Sequence, residues 1–130
     1  MNPNKFLEVF AEYNGMVHGH GVYDCNLMVL KATGYDVESI PSYSTAMGGL
    51  KSLRSFGFRR MGEYLEAKGY HHIDPVFISD FDIVLDGIHC GIYFDGRIFA
   101  LSENKRFGFI QLDRNEFNKN KKIKVFKWQV

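Results

Sequence analysis

The hydrophobic pattern of this chain changes its period near residue 80, and that change limits the folds the sequence can adopt. Before it, apolar residues recur every three or four positions, which is typical of amphipathic helices. After it, short runs rich in Ile, Val, Phe and Tyr are separated by turn residues, which is typical of strands. A run of helices followed by a run of antiparallel strands predicts an α+β domain, with N-terminal helices packed on a C-terminal antiparallel β-sheet.

Each helix of the first half is predicted from its apolar spacing, and most of them stop at a glycine. The four predicted helices run from an Asn4 cap to Gly15, over residues 24–32, from Ser44 or Thr45 to near Gly57, and over residues 61–68. In the first helix, Phe6, Leu7, Phe10 and Tyr13 form the apolar stripe. The second helix is expected to stop at Gly34.

The strands of the second half are separated by Asp-Gly pairs and other turn signals. The five predicted strands cover residues 81–85, 88–94, 97–101, 107–112 and 122–127. Asp86-Gly87 and Asp95-Gly96 predict hairpins between the first three of them. The His71-His72 pair follows a glycine and is predicted to be an exposed loop. With 130 residues and no linker, we expect one domain over residues 1–130.

The composition excludes several classes of protein. Hydrophobic residues make up 45% of the chain, which is enough for a packed core and argues against intrinsic disorder. The formal net charge of +1 gives no indication of a nucleic-acid partner or of attraction to a membrane surface. The basic residues of segment 119–124 are expected to form a solvated turn and strand edge.

No apolar run is long enough to predict insertion into a membrane. Residues 1–5 lead into an amphipathic segment and not into the apolar core of a signal peptide. We therefore expect the chain to be made in the cytoplasm without a signal peptide.

Cys25 is the first candidate for a catalytic residue because it stands at the predicted start of the second helix. The N-terminus of a helix favours negative charge, which lowers the pKa of a thiol and makes a nucleophilic thiolate. His89, on the second predicted strand, is the candidate general base, because helix and sheet would bring the two together. The alternative interpretations are that Cys25 is an inert buried thiol and that His89 is a hydrogen-bonded core residue. Cys90 is expected to be a small buried strand residue with a separate role.

Four residues near Cys25 are further candidates for the site. Asp24 is expected to cap the helix, because a carboxylate facing the thiol would oppose the thiolate. Tyr23 or the backbone N–H of Cys25 is expected to contribute to an oxyanion hole. His18 and His20 alternate with glycines and are expected to line the cleft. Two His and one Cys also suit zinc, but no fourth ligand stands at a recognisable spacing, so we expect no metal and no cofactor.

Short segments along nearly the whole chain resemble, in order, those of the NlpC-type cysteine peptidases, a papain-like family of cell-wall amidases and endopeptidases. The nearest resemblance is to a small, mostly phage-encoded branch of that family whose function is not established. The segments that carry it are Phe6-Leu7 to Gly15, Gly21-Val22-Tyr23-Asp24-Cys25, Thr33-Gly34-Tyr35-Asp36, residues 43–50, Asp82-Ile83-Val84-Leu85, His89-Cys90-Gly91-Ile92-Tyr93 and Trp128-Gln129-Val130.

The resemblance implies a papain-like fold, with Cys25 as the nucleophile and His89 as the general base. The family usually adds a third polar residue that orients the imidazole, and the corresponding position here holds Ala100. Ser102 or Glu103 would substitute for it only in a different strand register.

Two further positions depart from the family. A glycine that usually precedes the strand aspartate is Phe81, and a tryptophan usual in the loop before the nucleophile is His20.

The predicted function is that of a cysteine hydrolase, an amidase or peptidase that cleaves an amide bond in peptidoglycan stem peptides. The phage resemblance implies a place in the virion or tail, with a peptide or peptidoglycan substrate and other virion proteins as partners. The alternative is a catalytically inactive structural, assembly or host-binding protein of the same fold, which Ala100 and Phe81 favour. A third possibility is an acyl- or peptide-binding module that uses the same cleft.

Overall fold

A computed structural model describes residues 1–40, 42–55, 57–87 and 89–129 of the chain. Its α-helices are α1 (Pro3–Tyr13), α2 (Cys25–Ala32), α3 (Ala46–Ser55), α4 (Met61–Ala67) and α5 (Arg114–Lys119). Its strands are β1 (Tyr70–Ile73), β2 (Ile83–Asp86), β3 (His89–Phe94), β4 (Arg97–Leu101), β5 (Phe107–Gln111) and β6 (Ile123–Trp128). The predicted α+β class is confirmed, with helices and one six-stranded antiparallel sheet.

The sheet has the strand order β1-β6-β2-β3-β4-β5, and every neighbouring pair is antiparallel. Both predicted hairpins are present. In the first, Asp86 pairs with His89 across the turn, and in the second, Phe94 pairs with Arg97. Ile88, which the prediction placed first in its strand, lies outside the described residues, as does Val130.

The two faces of the sheet belong to different apolar clusters. On the first face, Ile83, Cys90 and Ile92 pack with residues of α1 and α2 such as Phe6 and Met28. On the other face, a smaller cluster joins the sheet to α5 and contains Ile78, Val84, Phe117 and Val125. Successive side chains of a strand point to opposite faces of the sheet. Cys90 therefore faces α2, whereas the side chain of its neighbour His89 begins on the opposite face.

The predicted cap of α1 is wrong by two residues. The side chain of Asn2 caps the helix and accepts a hydrogen bond from the backbone N–H of Asn4 at 3.0 Å. Pro3 then occupies the first turn, where its missing N–H costs nothing. The buried stripe consists of Phe6, Val9, Phe10 and Tyr13, and Leu7 is 45% exposed beside it.

Two elements were not predicted. Residues 70–73 form β1, which pairs with β6, although both histidines of the pair are exposed as expected. Residues 114–119 form α5, which Asp113 caps and which buries Phe117. Both elements are too short to show a clear periodicity of hydrophobic residues. In addition, β1 forms by pairing with β6, a strand from the far end of the chain.

Phe81 was predicted to open the first strand, but it lies in a turn and β2 begins at Ile83. Its φ of +72° is in the left-handed region, which favours glycine and is uncommon for an aromatic residue. Its ring packs on Phe6 and Phe94, with centroids 5.0 and 5.4 Å away. These aromatic contacts offset the backbone strain.

Candidate functional site

Cys25 is the first residue of α2, as predicted, and its side chain is half-buried. Asp24 precedes it in extended conformation, and its Oδ1 accepts a hydrogen bond from the backbone N–H of Leu27 at 2.8 Å. This is the geometry of an N-cap, and it confirms the predicted structural role of Asp24. The carboxylate is therefore engaged by the backbone at the start of the helix.

The second oxygen of Asp24 ties two other segments to the start of α2. Oδ2 accepts hydrogen bonds from the backbone N–H of Gly21 at 2.7 Å and from the hydroxyl of Tyr43 at 2.5 Å. Burial, followed by this hydrogen bond, raises the pKa of Tyr43, so the hydroxyl remains a donor at ordinary pH. Asp24 is the common anchor of the loop before Cys25, of α2 and of the segment before α3.

The thiol of Cys25 contacts Cys90 across the interface of α2 and β3. The hydrogen bond from the Cys90 thiol is the largest cause that lowers the pKa of Cys25, against a smaller opposing effect of burial. Burial raises the pKa of Cys90, whose side chain is 5% exposed. Asn26 Oδ1, 3.6 Å from Cys90 Sγ, is an alternative acceptor for the same S–H. The structure thus joins two thiols that we expected to have separate roles.

His89 is exposed at the start of β3, beside the same cavity as Cys25. Its cross-strand partner is Asp86, also exposed, and directly paired residues of an antiparallel ladder share a face. Gly91, two positions after His89 on β3, lies on the same face of the sheet. A Cβ atom built on Gly91 would be 3.1 Å from the Ala100 Cβ, so Ala100 lies on this face too. Ala100 gives the imidazole no polar neighbour, whereas Asp86 places a carboxylate opposite it.

The loop that carries His18 and His20 is closed by reciprocal backbone hydrogen bonds between Gly19 and Tyr23, both of 2.9 Å. The backbone N–H of His18 also donates to the carbonyl of Lys105 at 2.8 Å, which fixes the loop to the turn between β4 and β5. The two imidazoles meet edge to face with centroids 4.5 Å apart. Burial and the neighbouring His20 lower the pKa of His18.

A cavity of about 690 Å³ lies above these residues. Its polar lining includes Cys25 and the three histidines 18, 20 and 89, and Arg60 and Lys105 add positive charge. Its apolar lining consists of Leu50, Leu53, Met61, Leu85 and Leu101. A cavity with an apolar wall and a few convergent polar groups is the usual form of a small-molecule or peptide site.

Tyr23 packs its ring edge to face on Tyr13, with centroids 5.2 Å apart. This contact holds the Tyr23 side chain against the core cluster. Among the residues that the structure describes, no three His, Cys, Asp or Glu side chains are arranged to hold a metal ion. Within the same ranges, no helix has the length and apolarity needed to cross a bilayer.

Three residues of the site were not identified from the sequence. Tyr43 stands in a segment that we read only as the entry to α3, and Asn26 and Asp86 were not singled out. The available signals were weak: Asn26 follows the nucleophile candidate directly, and Asp86 flanks a hairpin turn opposite His89.

The pKa directions of the two cysteines predict a difference in their alkylation. Because the pKa of Cys25 is lowered in the folded chain, its reaction with iodoacetamide should begin at a lower pH than the reaction of the same cysteine in the denatured chain. Cys90 should react only after unfolding, since it is buried and its pKa is raised. Peptide mapping after timed alkylation over a pH series measures both residues in one sample. If alkylation of Cys25 in the folded chain began at the same pH as in the denatured chain, or at a higher pH, this result would contradict the lowered pKa.

A sequence profile described as a domain of unknown function (DUF6950) matches residues 2–117. A comparison with curated proteins finds no significant match.

Proposed function

The chain belongs to the DUF6950 family, and we propose that it is a cysteine hydrolase that cleaves an amide bond. The observation that supports this function best is the position of Cys25: a thiol of lowered pKa at the first turn of a helix, facing a cavity lined by histidines. A thiolate at such a position is the ordinary nucleophile of acyl transfer.

In the proposed mechanism, the Cys25 thiolate attacks the carbonyl carbon of the scissile amide. The backbone N–H of Cys25, at the start of α2, stabilises the oxyanion that forms on the carbonyl oxygen. His89 donates a proton to the leaving amine and then takes one from the water that releases the acyl group. Asp86 pairs with His89 across the hairpin, and in this mechanism its carboxylate would orient the imidazole, since Ala100 has no polar group to do so.

The resemblance to NlpC-type peptidases supports a papain-like arrangement of the helices and sheet, and peptidoglycan stem peptides as the substrate. It also supports a place in a phage virion or tail, where such a domain would act during penetration of the cell wall. The volume of the cavity, about 690 Å³, is sufficient for a few residues of a peptide.

Replacing each of the three histidines that line the cavity with alanine, one at a time, is the sharpest test of this mechanism. His89→Ala should reduce kcat on a stem-peptide substrate by roughly 10²–10⁴-fold, the usual contribution of a general acid–base. His18→Ala and His20→Ala should change mainly KM, since these side chains line the cavity. His71→Ala is the matched control, an exposed histidine on the outer strand β1.

A loss of kcat in His18→Ala, with activity kept in His89→Ala, would contradict the assignment of the base and transfer it to the loop before α2. The pH profile of kcat/KM provides a second readout, because only the variant that lacks the true base should lose the limb at which the base ionises.

A second function is favoured by two specific observations: His89 is exposed on the pleat opposite Cys90, and position 100 holds alanine. Both suit a catalytically inactive member that binds a peptide or another virion protein in the same cavity. Isothermal titration with stem peptides distinguishes the two functions, since such a member would bind without turnover and bind equally well after Cys25→Ala.

A further inference from the structure

The two cysteines of the chain lie against each other at the base of the proposed site. Cys25 is half-buried and reaches the cavity, whereas Cys90 is buried behind it on β3. Their thiols are hydrogen-bond partners, and Asn26 Oδ1 is an alternative acceptor for the single S–H of Cys90. No disulfide joins Cys25 and Cys90 in this structure, so the pair is in its reduced form.

The environments of the two thiols differ, and the difference decides which thiol reacts first with an oxidant. Cys25 faces the cavity and its pKa is lowered, so it is the thiolate that a dissolved oxidant meets. Cys90 is shielded by the sheet and by α2, and its pKa is raised, so it does not react directly with the oxidant. A reactive thiolate beside a shielded second cysteine is the arrangement of a peroxide-sensitive pair.

We propose that Cys25 and Cys90 form a reversible disulfide in response to hydrogen peroxide, which blocks the nucleophile and protects it from irreversible oxidation. The disulfide itself does not depend on hydrolysis; its regulatory effect rests on the proposed function.

The chemistry proceeds in two steps. The Cys25 thiolate attacks one peroxide oxygen, the O–O bond breaks, and Cys25 becomes a sulfenic acid while hydroxide leaves. The Cys90 sulfur then attacks the Cys25 sulfur, the S–O bond breaks, and the hydroxyl leaves as water with the Cys90 proton. In total, two thiols and one peroxide give one disulfide and two waters. To form the disulfide, the two neighbouring sulfurs must approach to an S–S length of about 2.05 Å.

The experiment uses the full chain, oxidised with an equimolar amount of hydrogen peroxide. It is then denatured and alkylated with N-ethylmaleimide, and its intact mass is measured. We expect both alkylation sites to be lost together, with a mass lower by two hydrogen atoms and with no covalent dimer on a non-reducing gel. Dithiothreitol should restore both sites. In parallel, hydrolysis should fall to background on oxidation and return fully on reduction.

Cys90→Ser, which keeps the size of the side chain, is the matched variant. It should form no intramolecular disulfide, and prolonged peroxide should add two oxygens to Cys25, with a loss of hydrolysis that dithiothreitol does not reverse.

The inference is overturned if wild-type Cys25 accumulates sulfinic acid while Cys90 still takes up N-ethylmaleimide, or if the only disulfide joins two chains. A disulfide in a protein whose reduced form hydrolyses nothing would support the thiol pair and reject the hydrolase. Hydrolysis without the disulfide would reject the pair alone.

Discussion

Replacing Cys25 with alanine is expected to reduce amide hydrolysis by roughly 10⁴-fold or more, because it removes the atom that forms the acyl-enzyme. Among the described residues that line the cavity, the other thiol is Cys90, which is 5% exposed and whose pKa is raised, so it does not replace that function. Release of stem-peptide fragments from peptidoglycan, followed by chromatography and mass spectrometry, measures the loss.

The same variant should remain folded, which makes the activity result interpretable. Cys25 occupies the first position of α2, where alanine is a good helix former, so the free energy of unfolding should change by about 1 kcal/mol or less. Denaturant unfolding provides this control. Full activity in a folded Cys25→Ala protein would place the chemistry elsewhere, and inactivity of the wild type on all stem peptides would favour the binding function.

Replacing Gly21 with alanine is expected to destabilise the chain by roughly 3–4 kcal/mol, through backbone strain and a steric clash. Gly21 has φ +77°, and a Cβ atom built on it would lie 1.9 Å from the backbone carbonyl oxygen of Tyr43. Because that contact is with backbone, relief requires the whole segment before α3 to move. The movement would separate Tyr43 from Asp24 and loosen the start of α2.

Gly34→Ala is the matched control for this prediction. Gly34 has φ +88°, and nothing lies within 4 Å of a Cβ atom built on it, so only the backbone strain of about 1–2 kcal/mol remains. Urea unfolding of both variants isolates the steric part as their difference. Equal destabilisation of the two would show that the packing of the Tyr43 segment on Gly21 contributes nothing to stability.

The parts of the fold that were predictable are those with local signals. The bounds of α2 follow from a capping carboxylate at Asp24 and a left-handed glycine at Gly34, and both signals act within one helical turn. The β4 bounds of Arg97–Leu101 were predicted without error, since the hairpin glycine Gly96 and the apolar run that follows Arg97 define them. The strand β1 and the helix α5 were missed, because each is short and is stabilised by residues far along the chain.

The sequence predicted which residues belong to the candidate site better than it predicted which of them contact each other. Cys25, His89, His18 and His20 all line one cavity, as the helix-then-sheet order implied. The direct partner of the thiol, however, is Cys90 and not the histidine before it. In a strand these adjacent residues point to opposite faces, and only the packing of α2 on the sheet decides which one meets the nucleophile.

From its sequence alone, this protein has a determined run of helices followed by strands, a capped helix that begins with a thiol, and glycines at the Asp86-Gly87 and Asp95-Gly96 hairpin turns. These features depend on interactions between residues a few positions apart, which a sequence displays directly. The tertiary structure alone decided that β6 joins β1 to β2, that Tyr43 completes the anchor at Asp24, and that Asn26 and Cys90, 64 residues apart, share a hydrogen bond. Such contacts depend on which faces pack together, and that is settled only when the whole chain buries its apolar surface.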